Sequence, residues 1–166
     1  MTLVAILGIG MLTLCISSPP APTVELTDHE ITWWGIADQL LVIMRSNGDA
    51  ECIGFDGRRH ARFRVDDYKR RDSSLAIVGA PEPLLAVATR GAIHNQVRFL
   101  SLADGAIRAT MQIEQSPGMS LDAVSPDGRL LFCDCRLEGR VFAIDVGTKS
   151  VIWTDSQDPV VSGVAF

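Results

Sequence analysis

This sequence predicts an all-β fold of four-stranded antiparallel blades, and three observations support that prediction. Trp34, Val78, Val124 and Phe166 mark units that are 44, 46 and 42 residues apart. A pair of leucines follows each of the first three marks six residues later. No segment shows a 3.6-residue apolar period long enough for a globular helix. A repeat of this length is typical of β-propeller blades, each of which needs a neighbour to bury its faces.

The first two segments of each unit are predicted to be an entry strand and a buried strand. The entry strands lie at 31–36, 74–78 and 121–124. In the third unit a turn follows at Pro126-Asp127-Gly128, where proline presets φ and glycine supplies the positive φ of a tight reversal. The next segments are almost continuously apolar, which is typical of strands covered on both faces. They form the predicted core, at 40–44, 84–88 and 130–133.

The last two segments of each unit are predicted to form the outer hairpin of the blade. The third segments lie at 51–55, 97–102 and 141–146, and they end in Asp56-Gly57, Asp104-Gly105 and Gly147-Thr148. Asp-Gly between strand residues is the strongest short hairpin signal. In the first unit the fourth segment alternates apolar residues with arginines. This alternation predicts a half-solvated outer strand with the arginines on its wet side.

The predicted domain organisation is a partial β-propeller over residues 23–166. Its blades are expected at about 31–66, 74–112 and 120–155, with the start of a further blade at 160–166. Closed propellers typically have four to eight blades, so about three blades plus flanking strands predict an incomplete ring. An open apolar blade edge is a template for pairing with another chain. We therefore expect self-association through that edge.

Residues 1–22 have two interpretations, a signal segment or strands of a preceding partial blade. The apolar run of fourteen residues from Leu3 to Ile16 has the length of a signal-peptide core and is short of the roughly 20 residues of a membrane span. Leu3 and Cys15 are also separated by the same twelve positions as Leu40 and Cys52, as expected for blade strands. A signal segment over 1–21 implies a secreted or periplasmic protein. The blade interpretation implies a cytoplasmic one.

Composition and spacing argue against several classes of function. The net charge of −5 excludes a globally basic nucleic-acid binder. The four cysteines have no metal-finger spacing, and we expect the pair Cys133 and Cys135 to be buried reduced thiols. His29, His60 and His94 occupy different positions in their units, so no converging catalytic or metal site is expected. We therefore predict no catalytic residue, no cofactor and no metal.

Two features are candidates for partner binding. Trp33 and Trp34 are consecutive in a strand and must face opposite ways, so either both pack in the core or one meets solvent or a partner, with Trp33 as our candidate. Seven basic residues fall within fourteen positions and could bind an acidic protein or peptide through bidentate arginine contacts. A nucleic-acid partner is disfavoured, because only Tyr68 is an aromatic platform there. The basic candidates are Arg58, Arg59, Arg62, Arg64, Lys69, Arg70 and Arg71.

The third unit resembles the repeat of WD-repeat and YVTN-type β-propellers. The resemblance is carried by 124–131, 139–146 and 164–166 and extends in degenerate form from about Ile31 to Phe166. The Trp-Asp pair of the WD repeat falls at Ile144-Asp145, so the Asp is kept once and the Trp never, which favours the YVTN-like class. The resemblance implies a non-catalytic scaffold for protein–protein interaction.

A second resemblance applies to one unit only. Ala143, Asp145, Thr148 and Trp153 have the spacing of the tryptophan-docking motif of quinoprotein propellers, with Lys149 in the place of a glycine. It implies a packing role for the indole and supports, as the alternative function, a fragment of a secreted or periplasmic quinoprotein-like or lactonase-like protein. The expected channel-lining positions, 35–36, 79–80 and 125–126, contain no carboxylate, Asn or His. That composition favours the scaffold.

Overall fold

A computed structural model describes residues 29–79, 82–90, 94–114, 118–135 and 138–156. The segments 1–22 and 160–166, on which two of the predictions fall, lie outside these residues. The described part contains twelve strands and no helix, and consequently no helix that could span a bilayer.

The strands form three separate four-stranded sheets, each an antiparallel meander in chain order. Blade 1 contains β1 (Ile31–Ala37), β2 (Leu40–Arg45), β3 (Asp49–Gly54) and β4 (Arg59–Arg64). Blade 2 contains β5 (Ser73–Val78), β6 (Leu84–Thr89), β7 (His94–Ser101) and β8 (Ile107–Glu114). Blade 3 contains β9 (Met119–Val124), β10 (Leu130–Cys135), β11 (Arg140–Asp145) and β12 (Ser150–Ser156). The all-β fold of four-stranded antiparallel blades is confirmed.

The core lies between the blades rather than within any one of them. Alternate residues of β6 point to opposite neighbours: Leu85 and Val87 pack against blade 1, whereas Ala86 and Ala88 pack against blade 3. Because blade 2 has a neighbour on each face, Leu84 to Ala88 are all buried. The continuous apolar run predicted for this strand therefore corresponds to a strand covered on both sides.

The first strands of successive blades contact each other and bring the blades together at the inner side of the arc. Ser74 Oγ accepts a hydrogen bond from the Leu121 N–H at 3.0 Å and lies 3.5 Å from the Leu121 carbonyl oxygen. The Gly79 N–H donates to the Gly128 carbonyl at 2.9 Å. These bonds fix blade 2 against blade 3 at two heights along the inner strands.

Each blade has two distinct ends. At the hairpin end lie the turns between first and second strands and between third and fourth strands. At the crossover end lie the turns between second and third strands and the connections to the next blade. The residues that close the outer hairpins with positive φ are Gly57, Gly105 and Lys149. The third hairpin turns over 146–149, which contains the predicted Gly147-Thr148 pair, but its left-handed residue is Lys149.

Candidate protein-interaction surface

The two consecutive tryptophans face opposite sides of blade 1, as the alternation of a strand requires. Trp33 packs against the core shared with blade 2. Trp34 is 63% exposed. The aromatic side chain available to a partner is therefore that of Trp34, while the candidate residue Trp33 serves the packing between blades.

Trp34 belongs to a row of residues that crosses the whole blade. Trp34 pairs with Ile43, Ile43 with Glu51, and Glu51 with Arg62. Residues paired in this way share one face of a sheet. The face of blade 1 that points away from blade 2 therefore exposes an apolar side chain at the inner strand and an arginine at the outer strand, whereas Ile43 and Glu51 in the middle of the row are buried. We call it the outer face of blade 1.

A second row of paired residues lies beside the first on the same face, closer to the hairpin end. Ile36 pairs with Leu41, Leu41 with Ile53, and Ile53 with Arg59 after the register shift between Cys52 and Ile53. Ile36 is 56% exposed. Arg64 pairs with Asp49 and completes the cationic border.

A buried ion pair lies beneath that cationic border. Arg45 Nη2 is 3.4 Å from Glu51 Oε2, and both side chains are fully buried. Arg59 Nη2 and Arg62 Nε are 3.9 and 3.8 Å from Glu51 Oε1, which accepts no hydrogen bond. Arg45 Nη1 also donates to the His29 carbonyl oxygen at 3.2 Å. One carboxylate thus faces three guanidinium groups.

Charge on the border is only partly neutralised by neighbouring carboxylates. Arg62 Nη2 donates to Asp49 Oδ2 at 2.8 Å, and this bond, more than the opposing burial, holds the pKa of the Asp49 carboxyl below its usual value. The contact of Arg58 with Asp56 is longer, at 3.6 Å, and the Arg58 side chain is 85% exposed. Loose exposed pairs of this kind are weak, so their guanidinium groups can be recruited by a partner.

The basic run does not form a single patch. Arg58 lies in the turn at the hairpin end, whereas Lys69, Arg70 and Arg71 lie in the connection from β4 to β5 at the crossover end. A six-residue strand such as β4 separates the two groups by roughly 20 Å. Arg70 also forms an ion pair with Glu30 at 2.7 Å. The structure therefore places Arg59, Arg62 and Arg64 on one face of β4, with Arg58 in the turn before this strand and the other candidates in the connection after it.

Sequence reasoning missed a groove at the hairpin end of the inner strands. It has a volume of about 460 Å³ and lies where β1, β5 and β9 end, with walls that include Ile77, Val78 and Val124. Gly79, Ser125 and Pro126, all expected to line the channel, also line it. The available signal was the turn after each first strand, because residues of all three turns, among them Asp38, Gly79 and Pro126, line the groove.

The thiols and histidines show no convergent chemistry. Burial raises the pKa of the Cys52 thiol to about 11, and burial raises the pKa of the Cys133 thiol further above its usual value. Both thiols are therefore protonated at neutral pH and unreactive. His29 and His60 are exposed, and no group of three or more potential metal ligands occurs within the described residues.

Comparison with known proteins identifies the fold. No family model and no curated protein sequence matches the chain. BamB from Moraxella catarrhalis, a β-propeller, superimposes with a TM-score of 0.54 at 23% identity over 78% of this chain and 38% of BamB. The chain has a β-propeller fold. Its described blades form an open arc rather than a closed ring.

Two computationally designed proteins are also similar in structure. Ika8 matches with a TM-score of 0.54 at 11% identity, over 78% of this chain and 37% of Ika8. Ika4 matches with a TM-score of 0.58 at 11% identity, over 86% of this chain and 82% of Ika4. The chain thus spans less than two fifths of BamB and of Ika8. The WD-repeat and YVTN resemblance, which no family model supports, stays a prediction.

Proposed function

We propose that this chain is a non-catalytic β-propeller scaffold that binds an acidic, apolar-anchored segment of a partner protein on the outer face of blade 1. The observation that carries the proposal is the pair of cross-strand rows that lead from Trp34 and Ile36 to Arg62 and Arg59. Tryptophan and arginine are the residues most enriched at interaction hot spots. The same rigid sheet presents both.

The two halves of this face have different roles in the proposed interaction. Trp34 and Ile36 supply apolar contact area, and an exposed indole can bury a large surface against a partner. Arg59 and Arg64 supply guanidinium groups that can hold carboxylates in bidentate pairs. A partner segment with an apolar residue at one end and Asp or Glu at the other matches this order.

The proposal can be tested with a labelled peptide that contains Leu and Phe followed by several Asp and Glu residues. Fluorescence anisotropy should show that Arg59→Gln with Arg64→Gln weakens binding by about fivefold, as expected for two exposed ion pairs. Trp34→Ser should weaken it by tenfold or more, as for the loss of a hot-spot residue.

Arg108→Gln is the matched control, because Arg108 is an arginine of similar exposure on the outer strand of blade 2. It should leave the affinity unchanged. Equal binding by the wild type and by both blade 1 variants would show that the peptide is held elsewhere and would remove the basis of the proposal.

We also propose that copies of the chain associate through the exposed apolar side chains at the two ends of the arc. Trp34 and Ile36 are exposed on blade 1, and Trp153, which pairs with Ala143 on the face of blade 3 that points away from blade 2, is exposed at the opposite end of the arc. Propeller blades normally cover such faces with a neighbouring blade. A second copy offers a surface of the same kind.

A further inference from the structure

The side of blade 3 that points away from blade 2 presents an exposed indole, as the corresponding side of blade 1 does. In β10, Leu131 and Cys133 pack in the core shared with blade 2, so the alternate residues Phe132 and Asp134 face the other way. One row of paired residues crosses that side of the sheet: Ala123, Phe132, Ala143 and Trp153. Trp153 is 45% exposed. We call this side the outer face of blade 3.

Carboxylates lie on the outer face of blade 3, whereas blade 1 exposes arginines. Asp134 and Asp145 lie on this face in β10 and β11. Asp122 is exposed at the register shift of β9 and accepts a hydrogen bond at 2.9 Å from the hydroxyl of Ser120, which pairs with Asp134. No Lys or Arg occurs among the described strand residues of this face, and Arg129, in the turn before β10, lies 3.9 Å from Asp145. The two ends of the arc therefore differ in the sign of their charge.

The contact between neighbouring blades joins two different sides of a blade. Blade 2 covers blade 1 with one side of β6 and blade 3 with the other, as the packing of Val87 and Ala88 shows. First strands contact first strands at both junctions. The outer face of blade 3 corresponds to the side of blade 2 that covers blade 3, and the outer face of blade 1 corresponds to the side that covers blade 1. Placing these two outer faces together repeats a contact that the arc already makes twice.

Two like ends make a poorer match. Two copies joined through blade 1 bring Arg59, Arg62 and Arg64 of one copy towards the same arginines of the other. Two copies joined through blade 3 bring aspartates together. Like charges that face each other across an interface disfavour association, whereas complementary charges favour it. The charge of the two ends therefore selects the unlike pairing.

We propose that the outer face of blade 3 of one copy binds the outer face of blade 1 of another, so that copies associate head to tail. Trp34 then packs against Ala123 and Phe132, because first strands meet first strands at each junction. The arginines of β4 lie opposite Trp153, and arginine both stacks on indole rings and pairs with carboxylates. The inference rests on the self-association proposed above and specifies which faces pair. A second copy thus presents the acidic surface with an apolar anchor that blade 1 is proposed to bind.

The experiment uses two variants of the full chain, each with one altered face. Trp34→Ser removes the indole of blade 1, and Trp153→Lys places a cation opposite the arginines of blade 1. Each variant alone should self-associate at least about tenfold more weakly than the wild type in sedimentation velocity, because every head-to-tail contact needs both faces. An equal mixture should form a 1:1 complex, because the intact blade 3 of the first variant meets the intact blade 1 of the second.

A second test changes the charge and leaves both indoles in place. Asp122→Asn keeps an acceptor for the Ser120 hydroxyl and should weaken self-association by about two- to fivefold, as expected for one exposed ion pair. Glu82→Gln is the matched control, because it removes a carboxylate that is 62% exposed on blade 2, and it should leave the association unchanged. The association should also weaken when the ionic strength rises from about 0.05 to 0.5 M.

The outcomes separate this inference from the self-association on which it rests. A wild-type chain that stays monomeric removes both. If the wild type associates, head-to-tail pairing alone is overturned when either tryptophan variant self-associates as tightly as the wild type, or when the mixture of two folded variants forms no 1:1 complex. Urea midpoints close to that of the wild type show that both variants fold. An association that neither salt nor Asp122→Asn weakens removes the charge complementarity that selects this pairing.

Discussion

Lys149 combines an unfavourable backbone with favourable side-chain contacts. Its φ of 55° lies in the left-handed region, where the equivalent hairpin residues of the other two blades are glycines. The ammonium group bonds the Val146 carbonyl oxygen and lies 4.8 Å from the centre of the Phe99 ring. Burial, opposed by Asp145, lowers the pKa of Lys149. The side chain therefore offsets part of the conformational cost.

Two substitutions at this position separate the backbone cost from the side-chain contacts. Lys149→Ala and Lys149→Gly both remove the contacts, but only Gly relieves the left-handed strain. We expect the Gly variant to be more stable than the Ala variant by about 1 kcal/mol in urea unfolding. At the adjacent Thr148, whose φ is not positive, Ala should be the more stable by about 0.4–1 kcal/mol. The same order at both positions would contradict this account.

The buried Arg45–Glu51 pair predicts that substitution of Glu51 lowers the free energy of unfolding more than substitution of Arg45. Glu51→Ala leaves the Arg45 guanidinium buried with only the His29 carbonyl as a described partner, and should cost about 3–5 kcal/mol of unfolding free energy. Arg45→Met should cost less, because Glu51 keeps Arg59 and Arg62 within 3.9 Å. The double variant Arg45→Met with Glu51→Leu should recover much of the loss. Denaturant midpoints that fall equally for both single variants would contradict this order.

At the scale of single residues, the sequence predicts that two consecutive side chains of a strand face opposite sides of the sheet, but not which of them faces solvent. Consecutive residues of a strand face opposite ways, so the opposition of Trp33 and Trp34 followed from sequence. Which of them is exposed depends on which side of blade 1 carries blade 2, and no local pattern contains that information. The same limit applies to Arg45, a charged residue in an apolar segment whose burial depends on Glu51 in the next strand.

At the element scale, the turns rely on aspartates that cap backbone N–H groups. Asp104 Oδ1 accepts from the Ala106 N–H at 2.9 Å, and Asp145 Oδ1 accepts from the Thr148 N–H at 2.8 Å. These bonds lower the pKa of both carboxyls. The Ser125 hydroxyl, followed by the Arg129 N–H, lowers the pKa of Asp127. All three turns lie at the hairpin end.

The lowered pKa values predict acid sensitivity. An Asp whose pKa is lower in the folded chain stabilises the fold above its unfolded value of about 3.9, and this contribution is lost as the pH falls through the folded value. The urea midpoint should therefore fall steeply below about pH 4. The triple variant Asp104→Asn, Asp127→Asn, Asp145→Asn keeps the acceptor oxygens but cannot titrate, so its acid dependence should be shallower. If the urea midpoint of the wild type and that of the triple variant fell equally with pH, groups other than these three aspartates would cause the acid sensitivity.

Strand positions were largely predictable because local signals agreed with one another. The apolar run at 84–88 and the Asp-Gly turn at 104–105 both lie where the structure places a buried strand and a hairpin. The third hairpin also lies where it was predicted, but its left-handed residue is Lys149, and sequence chemistry favours glycine there. The groove was missed for another reason, since it depends on three turns that are distant in sequence.

At the scale of the whole molecule, the repeat period identified the architecture, because a blade of about 44 residues must stack on copies of itself. The arc formed by the three described blades has two ends, and each presents large apolar side chains to solvent. Trp34 is 63% exposed at one end and Trp153 is 45% exposed at the other. Sequence could not indicate what packs against these ends, because a repeat contains no information about residues outside it.

The exposed ends predict concentration-dependent association of the purified chain. Apolar patches of this kind are rare on monomeric proteins, and burying an indole against a second copy removes a large area from water. Sedimentation velocity between about 1 and 100 µM should show a rising average mass, since association depends on concentration. Trp34→Arg with Trp153→Lys should shift the chain to monomer by placing charge at both ends, whereas Arg108→Gln, on the outer strand of blade 2, should not. A wild-type chain that stays monomeric throughout this range would show that its ends do not pair.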